Sequence, residues 1–390
     1  MAIQLISTWS ELASLESQWN AIAEGMPFGS WDWLATWWKH YGVGAAQSSA
    51  NGQPHSGQRQ LYVLAVCGKG EVDGKAAGAK DRLIGIAPWY LDRTIVHGNV
   101  LRWLGSGEVC TDHLSLICRP ENRQEVAAAV AHELTANRDD WDRIDLSAVD
   151  ANDPAITELV TAFEEHDCLI SRHAADSCWV LELPASWDDY LASISKSHRK
   201  QLRKLERRVL DSKRACWHQV TSASELPAAW EILVDLHQRR RQSLGEPGCF
   251  ASRPFHDFHR EVAERLLARR QLRMSWLELD GAPAAAEYHL ADASATYAYQ
   301  GGVDPIRLSE EPGRLSTILC LRAAIAEGHS RFDFLRGDEP YKAHWRAAPQ
   351  PTVDYRIIPN RRLARLRGRV LNVTGAITDW VRQTTEQSPT

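Results

Sequence analysis

Short apolar runs and helix-spaced apolar positions alternate along the first half of the chain. Runs typical of buried strands occupy residues 61–67, 82–91, 113–118 and 143–149. Helical patterns occur at 122–137 and at 154–166, and an Asn-Asp-Pro turn precedes the second of them. This alternation predicts a mixed α/β first half. Small, polar and glycine residues at 45–60 and at 68–80 predict two surface loops.

A tryptophan-rich segment near the N-terminus predicts a further helix. Four of the 16 tryptophans fall between residues 31 and 38, and Ser30 before them is a favourable N-cap. Trp33, Trp37 and Tyr41 recur every four residues, so the simplest interpretation places them in the core. The alternative is a platform on which carbohydrate rings would stack.

The second half has a different order of elements. Helices are predicted at 186–195, 197–213, 223–243 and 254–269, and strands at 273–280, 283–292 and 295–303. The Asp-Gly pair at 280–281 is a hairpin signal between the first two strands. An amphipathic helix at 312–327 ends at Gly328, and a strand follows at 331–335. The pattern therefore predicts an antiparallel meander joined by one helical crossover to a fourth strand.

Length and these two orders predict the domain organisation. A chain of 390 residues has room for two to three domains of about 150 residues. We expect an N-terminal α/β domain at 1–184, a C-terminal α+β domain at 185–359 and a basic helix or tail at 360–390. The start of the tail is basic and amphipathic, which is compatible with peripheral contact with anionic lipid or with docking on the body.

Composition narrows the class of protein. The formal net charge of -5 argues against a general nucleic-acid binder, so DNA is not an expected partner. No apolar run reaches the length of a transmembrane helix, and the N-terminus does not resemble a signal peptide, so we expect a cytoplasmic protein. The eight cysteines form no CxxC pair, so they are expected to be reduced thiols, and neither a zinc site nor any other metal site is expected.

Three segments carry a resemblance to a known family. They read LHQRRRQSLGEPGCF at 236–250, YAYQGGVDPIRLSEEPG at 297–313 and RFDFLRGDEPYKAHWR at 331–346. Together they resemble the CelD/BcsL acyltransferases of cellulose biosynthesis, which are related to the FemAB aminoacyl transferases. The meander and crossover are also the core order of the GNAT fold. Two departures are Arg241, where the family usually has Trp, and Glu311 at the helix start, where it usually has Ser.

The resemblance implies tandem GNAT-like domains, each a mostly antiparallel sheet flanked by helices, and transfer of an acyl group from a thioester, with acyl-CoA as co-substrate. A strand-to-helix junction can hold the phosphates of such a donor on free backbone N–H groups. Gly301, Gly302, Gly313 and Arg314 lie at such a junction. The usual GNAT pyrophosphate loop is absent, however, and the glycines could instead serve turns.

Acyl transfer to an amine needs a base, an oxyanion partner and a proton for the leaving thiolate. Glu287 and His289 share one face of a strand, and Tyr297 and Tyr299 share a face of its neighbour. A carboxylate or imidazole here can act as base, and a tyrosine can bind the donor or protonate the thiolate. The alternative is that the tyrosines are ordinary strand residues.

The last motif supplies further candidates. Asp333 lies between two phenylalanines and should therefore either pair with a cation, of which Arg336 is one candidate, or accept backbone hydrogen bonds. The resemblance places Lys342 at the acyl donor, as oxyanion partner or phosphate ligand, whereas a solvated lysine is the alternative. Candidate contacts to substrate in this segment are Arg336, Asp338, Tyr341 and Trp345. Asp112-His113 is a weaker candidate for a polar pair in the cleft between the halves.

Two basic helical segments complete the candidates. His237 and Arg240 share a helix face, and the resemblance places them beside the acceptor, whereas the alternative is a basic, exposed helix end. The segment 196–214 has nine Lys or Arg against two Asp or Glu, so it is a candidate docking site for an acyl carrier protein, a tRNA or another polyanion. The alternative is a solvated charged face. A non-catalytic GNAT-like scaffold of polysaccharide assembly is the rival to all enzymatic interpretations.

Overall fold

The computed structural model describes residues 1–42, 58–68 and 82–368. Most of the two loops predicted at 45–60 and 68–80, and the tail beyond residue 368, lie outside these ranges. No helix within the described ranges is long and apolar enough to cross a lipid bilayer.

The first half contains seven strands and five helices among the described residues. The strands are β1 (Ala2–Ile6), β2 (Gln58–Gly68), β3 (Arg82–Thr94), β4 (Gly98–Trp103), β5 (Ile117–Cys118), β6 (Arg143–Asp150) and β7 (Leu169–Glu182). The helices are α1 (Trp9–Ser14), α2 (Glu16–Ile22), α3 (Trp31–Tyr41), α4 (Arg123–Ala136) and α5 (Pro154–Glu165).

The second half contains six strands and six α-helices up to residue 358, and residues 362–368 form a further helical segment at the end of the described chain. The strands are β8 (Ala215–Gln219), β9 (Leu272–Leu279), β10 (Ala282–Ala291), β11 (Ala295–Val303), β12 (Arg331–Arg336) and β13 (Ala348–Ile358). The helices are α6 (Trp187–Ser193), α7 (Lys196–Val209), α8 (Leu226–Gln242), α9 (Arg253–Ala268), α10 (Pro312–Ala326) and α11 (Pro340–His344). The predicted meander, crossover helix and fourth strand are confirmed.

All these strands form one sheet that runs through both halves. The order is β1-β2-β3-β4-β6-β13-β7-β12-β11-β10-β9-β8, with β5 beside β3. The parallel pairs β4–β6 and β11–β12 lie in the sheet at equivalent places in the two halves. The last strand of each half pairs with the strand before last of the other half, as β13 with β6 and β7 with β12. The mixed α/β fold with a mostly antiparallel sheet is as predicted, and its two halves exchange strands.

The tryptophan-rich helix is part of the core. Ser30 caps α3 by accepting a hydrogen bond from the Trp33 backbone N–H. Trp33 and Trp37 are fully buried, and the Trp33 indole donates to Thr111 Oγ1 at 3.0 Å. Because these rings contact the interior, the carbohydrate platform is wrong and the core interpretation is confirmed.

The strands β11 and β12 separate after a short parallel pairing, and the gap between them, called the wedge below, sets the position of the site. Their parallel pairing covers only three register positions and stops at Tyr297 and Asp333. Beyond that point Leu335 adopts a left-handed backbone, φ 58°, and β12 turns towards β7. The backbone edges of the two strands therefore separate and leave an open cleft.

Candidate functional site

The cleft between β11 and β12 widens into a cavity of about 1020 Å³. Residues 298–303 of β11 form one wall, and Phe332 together with residues 334–337 forms the other. The start of α10, the end of α8 and the helix α11 complete it. Most predicted site residues line this cavity: His237, Arg240, Glu287, His289, Tyr299, Gly301, Gly302, Gly313, Arg314, Arg336, Tyr341, Lys342 and Trp345.

Three predicted residues lie elsewhere. Tyr297 and Asp333 contact a second cavity, of about 370 Å³. Asp333 points away from the first cavity because it alternates with Phe332 and Phe334, which line it. Asp338 lines neither cavity, and it accepts a hydrogen bond from the Trp179 indole at 2.9 Å. The structure thus separates these three from the other candidates.

Glu287 presents a carboxylate to the cavity and is held from two sides. His289 Nε2 lies 3.1 Å from one carboxylate oxygen, and Ser316 Oγ on α10 donates to the other at 2.6 Å. Gly301 stands opposite Glu287 in β11. A Cβ atom at Gly301 would come within 2.8 Å of Glu287 Oε2, so the glycine leaves the space that this carboxylate uses.

His289 is a buried imidazole that favours its charged form. Burial alone would lower its pKa, but the neighbouring Cys320 and Glu287 raise the pKa of His289 to about 10. The buried His289 imidazolium therefore lies beside the Glu287 carboxylate and fixes its position. A protonated imidazole has no lone pair with which to accept a proton, so only the carboxylate of Glu287 can act as a base.

Lys342 is buried, with 2% of its surface exposed. Its ammonium donates to the backbone carbonyls of Leu335, Arg336 and Gly337 at 2.9–3.0 Å. Glu339 lies 3.0 Å away as a fourth partner. An ammonium has three N–H donors, so the carbonyls occupy them all. This geometry favours a positioning role in the turn at the end of β12 over contact with a donor, and Lys342 is not a solvated surface lysine.

Asp333 has a different partner from the one expected. The prediction of Arg336 is wrong: Asp333 Oδ2 lies 2.9 Å from His113 Nε2, and its other oxygen accepts from the Leu335 N–H at 2.7 Å. Burial opposes the charge on His113, but Asp333 raises its pKa. Arg336 pairs with Asp112 instead, Nε to Oδ1 at 3.0 Å. Both pairs join the first half of the chain to β12.

Neither predicted tyrosine presents its hydroxyl to the cleft between β11 and β12. Tyr297 donates to Asp292 at 2.7 Å, and Tyr299 donates to the Val109 carbonyl at 2.5 Å, with His259 3.0 Å away. Burial raises the pKa of Tyr299 far above its ordinary value. Their hydroxyl groups stabilise the walls, so the expected roles in donor binding or thiolate protonation do not fit this geometry.

The glycines of the junction serve packing more than phosphate contact. A Cβ atom at Gly302 would come within 2.4 Å of the His237 backbone nitrogen, so Gly302 allows α8 to pack directly on β11. At Gly313 the nearest atom would be Val303 Cγ1 at 3.2 Å. The prediction that all three glycines admit a phosphate is therefore corrected for Gly302.

The N-terminus of α10 combines a strained residue with a cation. Glu311 precedes the helix in a left-handed backbone conformation, φ 58°. Its carboxylate pairs with Arg314 at 2.9 Å and with Arg208 of α7 at 3.7 Å. The carboxylate that replaces the family's serine is thus neutralised locally. Gln201 of α7 also accepts from Arg314, so α7 lies beside the mouth of the cavity.

The wall of the cavity formed by the end of α8 contains an uncharged histidine. His237 Nδ1 lies 3.2 Å from Gln238 Oε1, and its Nε2 lies 3.6 Å from Cys249 Sγ. Burial lowers the pKa of His237, whereas burial raises that of Cys249 to about 12. His237 is therefore an uncharged imidazole beside a thiol, and Arg240 on the same helix brings a positive charge to the wall.

Several lining residues were not predicted. Cys249 lies within a quoted motif but was interpreted as a buried thiol. His198 lies in the basic segment and contacts the mouth of the cavity, with its ring 6.0 Å from that of Trp345. Glu108 accepts hydrogen bonds from Tyr41 and from Ser252, both at 2.6 Å. Glu108 lies four residues before Asp112, and this closeness to a predicted polar pair was the available sequence signal that it lines the cavity.

Comparisons with known proteins agree with this fold. Residues 196–343 match a family model described as an acetyltransferase (GNAT) domain, and this segment contains the wedge. A crystal structure of FemX is similar over 94% of this chain and 99% of its own, with 11% identity and a TM-score of 0.60.

Two further solved structures are similar over most of their length. A conserved protein of unknown function from Bacteroides thetaiotaomicron VPI-5482 is similar over 92% of this chain and 100% of its own, with 10% identity and a TM-score of 0.53. A tandem GNAT protein from the clavulanic acid biosynthesis pathway covers 91% and 98%, with 13% identity and a TM-score of 0.38. The sequence matches no curated protein. The match and the fold define a GNAT-like acyltransferase architecture, and the CelD/BcsL resemblance stays a prediction.

Proposed function

We propose that the protein is an N-acyltransferase that moves an acyl group from a thioester, acyl-CoA, to an amine or hydroxyl of a sugar or peptide precursor of the cell envelope. One observation carries this proposal: the strand edges that separate beyond Tyr297 and Asp333 face a cavity that holds the carboxylate of Glu287. Unpaired strand edges offer N–H and C=O groups to an extended ligand.

The donor would lie along the wedge. The pantetheine arm of a thioester carries amides, which match the unpaired backbone groups of β11 and β12. The phosphates would lie at the N-terminus of α10, where the free N–H groups and the helix dipole favour an anion. Arg314 and His198 line this end of the cavity. Because the Glu311 carboxylate partly neutralises the charge of Arg314, we expect moderate rather than tight binding of phosphate at this helix end.

Glu287 would act as the general base. The acceptor nitrogen attacks the thioester carbonyl carbon while Glu287 takes its proton. Backbone N–H groups of β11 that face the wedge would bind the resulting oxyanion. The C–S bond then breaks and the thiolate leaves. Tyr341 lines the cavity, and a phenol with an ordinary pKa of about 10 is protonated at neutral pH, so it can supply the proton that the thiolate needs.

A second candidate is a transferase that uses an aminoacyl-tRNA or an acyl carrier protein as donor. The position of α7 favours it, because this basic helix lies beside the cavity mouth and binds α10 through Gln201. A polyanionic donor would contact several of its lysines and arginines. Such binding should weaken steeply with added salt, whereas binding of free acyl-CoA should change less.

Release of free thiol from a panel of acyl-CoA thioesters tests the first proposal. The wild-type protein should release thiol only with a suitable amine or hydroxyl acceptor, and Glu287→Gln should reduce the rate by about 10² to 10⁴-fold. Glu16→Gln, on the exposed surface, is the matched control and should keep the wild-type rate. A protein that binds neither acyl-CoA nor a carrier-linked donor would instead be a non-catalytic scaffold.

A further inference from the structure

The edge of the sheet farthest from β1 brings together three side chains of metal-ligand type. Cys216 and His218 are two residues apart on β8 and therefore share a face. Glu278 on β9 stands opposite Cys216 in the antiparallel register. A ligand atom of each side chain lies within 4.8 Å of a ligand atom of the other two. This group is separate from the acyl-transfer cavity, since β10 lies between β9 and β11.

The His218 nitrogen that faces this group lacks a hydrogen bond. Nε2 is buried and has no hydrogen-bond partner among the described residues, although Glu278 Oε2 lies 3.3 Å away. An imidazole nitrogen in this state has a lone pair to offer. Ligand atoms around a tetrahedral zinc ion lie roughly 3.3–3.8 Å apart, given bonds of about 2.0–2.3 Å. The His218–Glu278 spacing already fits, and the exposed Cys216 thiol lies within 4.8 Å of both ligand atoms.

Trp276 holds the side chains of His218 and Glu278 in place. Its ring stacks on the His218 imidazole, with centroids 4.5 Å apart and an interplanar angle of 9°. Its indole N–H donates to Glu278 Oε1 at 3.4 Å, so the other carboxylate oxygen remains for a ligand. Outer groups that orient ligands in this way are typical of metal sites in proteins.

We propose that Cys216, His218 and Glu278 bind a divalent zinc-type ion. A thiolate, a neutral imidazole and a carboxylate supply two negative charges, which balance the ion, and mixed S, N and O ligands suit zinc. The fourth coordination position is open to water or to a side chain of a partner. The ion joins the edge strand β8 to β9 and stabilises this end of the sheet, without taking part in acyl transfer.

Titration of metal-free, full-length protein with Co²⁺, followed by Zn²⁺, tests this site. One equivalent of Co²⁺ should give a thiolate-to-cobalt charge-transfer band and the visible bands of four-coordinate cobalt, and Zn²⁺ should displace it. Zn²⁺ should also raise the Tm of the wild-type protein. Cys216→Ser should abolish the charge-transfer band and weaken Zn²⁺ binding at least about tenfold.

Cys110→Ser is the matched control, because Cys110 is the other exposed cysteine among the described residues. This variant should keep the full cobalt spectrum. Glu278→Gln provides a second test and should weaken Zn²⁺ binding without loss of the fold, which circular dichroism verifies. A missing charge-transfer band in the wild-type protein, or an unchanged band in Cys216→Ser, would overturn the proposal.

Discussion

The ammonium of Lys342 donates to the carbonyl oxygen of Gly337 at 2.9 Å, across the turn that ends β12. This contact explains much of the RFDFLRGDEPYK motif. Gly337 has φ 117°, and a Cβ atom there would come within 2.5 Å of Glu339 Oε2, so the turn requires glycine. The Lys342 ammonium donates hydrogen bonds to the carbonyls of the turn, and the turn forms one wall of the cavity. The ammonium of this motif lysine thus holds together one wall of the cavity.

Replacement of Lys342 by Met should destabilise the protein. The variant keeps the length of the side chain but leaves buried carbonyls without their donor, which should cost about 3 kcal/mol in the free energy of unfolding. Urea denaturation measures it. Glu339→Gln is the control, because its carboxylate is 57% exposed and its loss should cost less than about 1 kcal/mol. If Lys342→Met keeps wild-type stability but loses turnover, the lysine acts on the reacting atoms instead.

The Glu287 carboxylate should control turnover through kcat rather than through donor affinity. Ser316→Ala removes only one hydrogen bond to this carboxylate, so it should reduce kcat by about tenfold, less than Glu287→Gln does. Steady-state kinetics with saturating acyl-CoA separate the two effects. Equal losses in both variants, or a change confined to KM, would argue against Glu287 as the base.

The Glu287–His289 pair should make stability depend on pH. The folded-state pKa of His289 is about 10, above its ordinary value of 6.5. The folded protein therefore holds the proton more tightly, and this contribution is fully present below about pH 6.5 and lost as pH rises through 10. The free energy of unfolding should fall by up to about 1.4 kcal/mol per pH unit in this window.

His289→Gln isolates that contribution, since other groups titrate in both proteins. Urea denaturation at pH 7 and at pH 9.5 should show a smaller loss of stability with pH in the variant than in the wild-type protein. Parallel pH profiles for the two proteins would show that His289 is neutral in the folded state.

Two glycines of the cavity should respond differently to alanine. Gly302→Ala would force its methyl group against the backbone of α8 and should cost about 1–3 kcal/mol. Gly313→Ala meets only the end of the Val303 side chain, at 3.2 Å, so its free energy of unfolding should change by less than about 1 kcal/mol. Thermal or chemical unfolding of both variants provides the comparison. Equal effects would contradict the close packing of α8 on β11.

Local signals in the sequence predicted the parts of the fold that depend on neighbouring residues. The Asp-Gly hairpin at 280–281 and the periodicity of α10 led to the meander and its crossover. The strands β7 and β13 were missed, because each pairs with the other half and many of their residues are exposed on both faces. The strand predicted at 113–118 shortens to two residues, since His113 adopts φ 58°.

For the site as well, local sequence signals predicted individual residues but not contacts between distant parts of the chain. Glu287, His289 and Lys342 were predicted from strand alternation and a motif, and they share the cavity. The partner of Asp333 was not predictable, because His113 lies 220 residues away in the chain and Arg336 only three. The cluster of Cys216, His218 and Glu278 was also missed, since its ligands come from two strands and form no short spacing pattern.

Binding of acetyl-CoA by calorimetry to the wild-type protein and to Ala298→Phe tests the central claim most directly. Ala298 lies on β11 where the wedge opens and lines the cavity, so a phenyl ring would fill the path of the donor. We predict that the wild-type protein binds acetyl-CoA and that Ala298→Phe, shown to be folded by circular dichroism, reduces the affinity by more than about tenfold. Equal affinities in two folded proteins would contradict a donor site between β11 and β12.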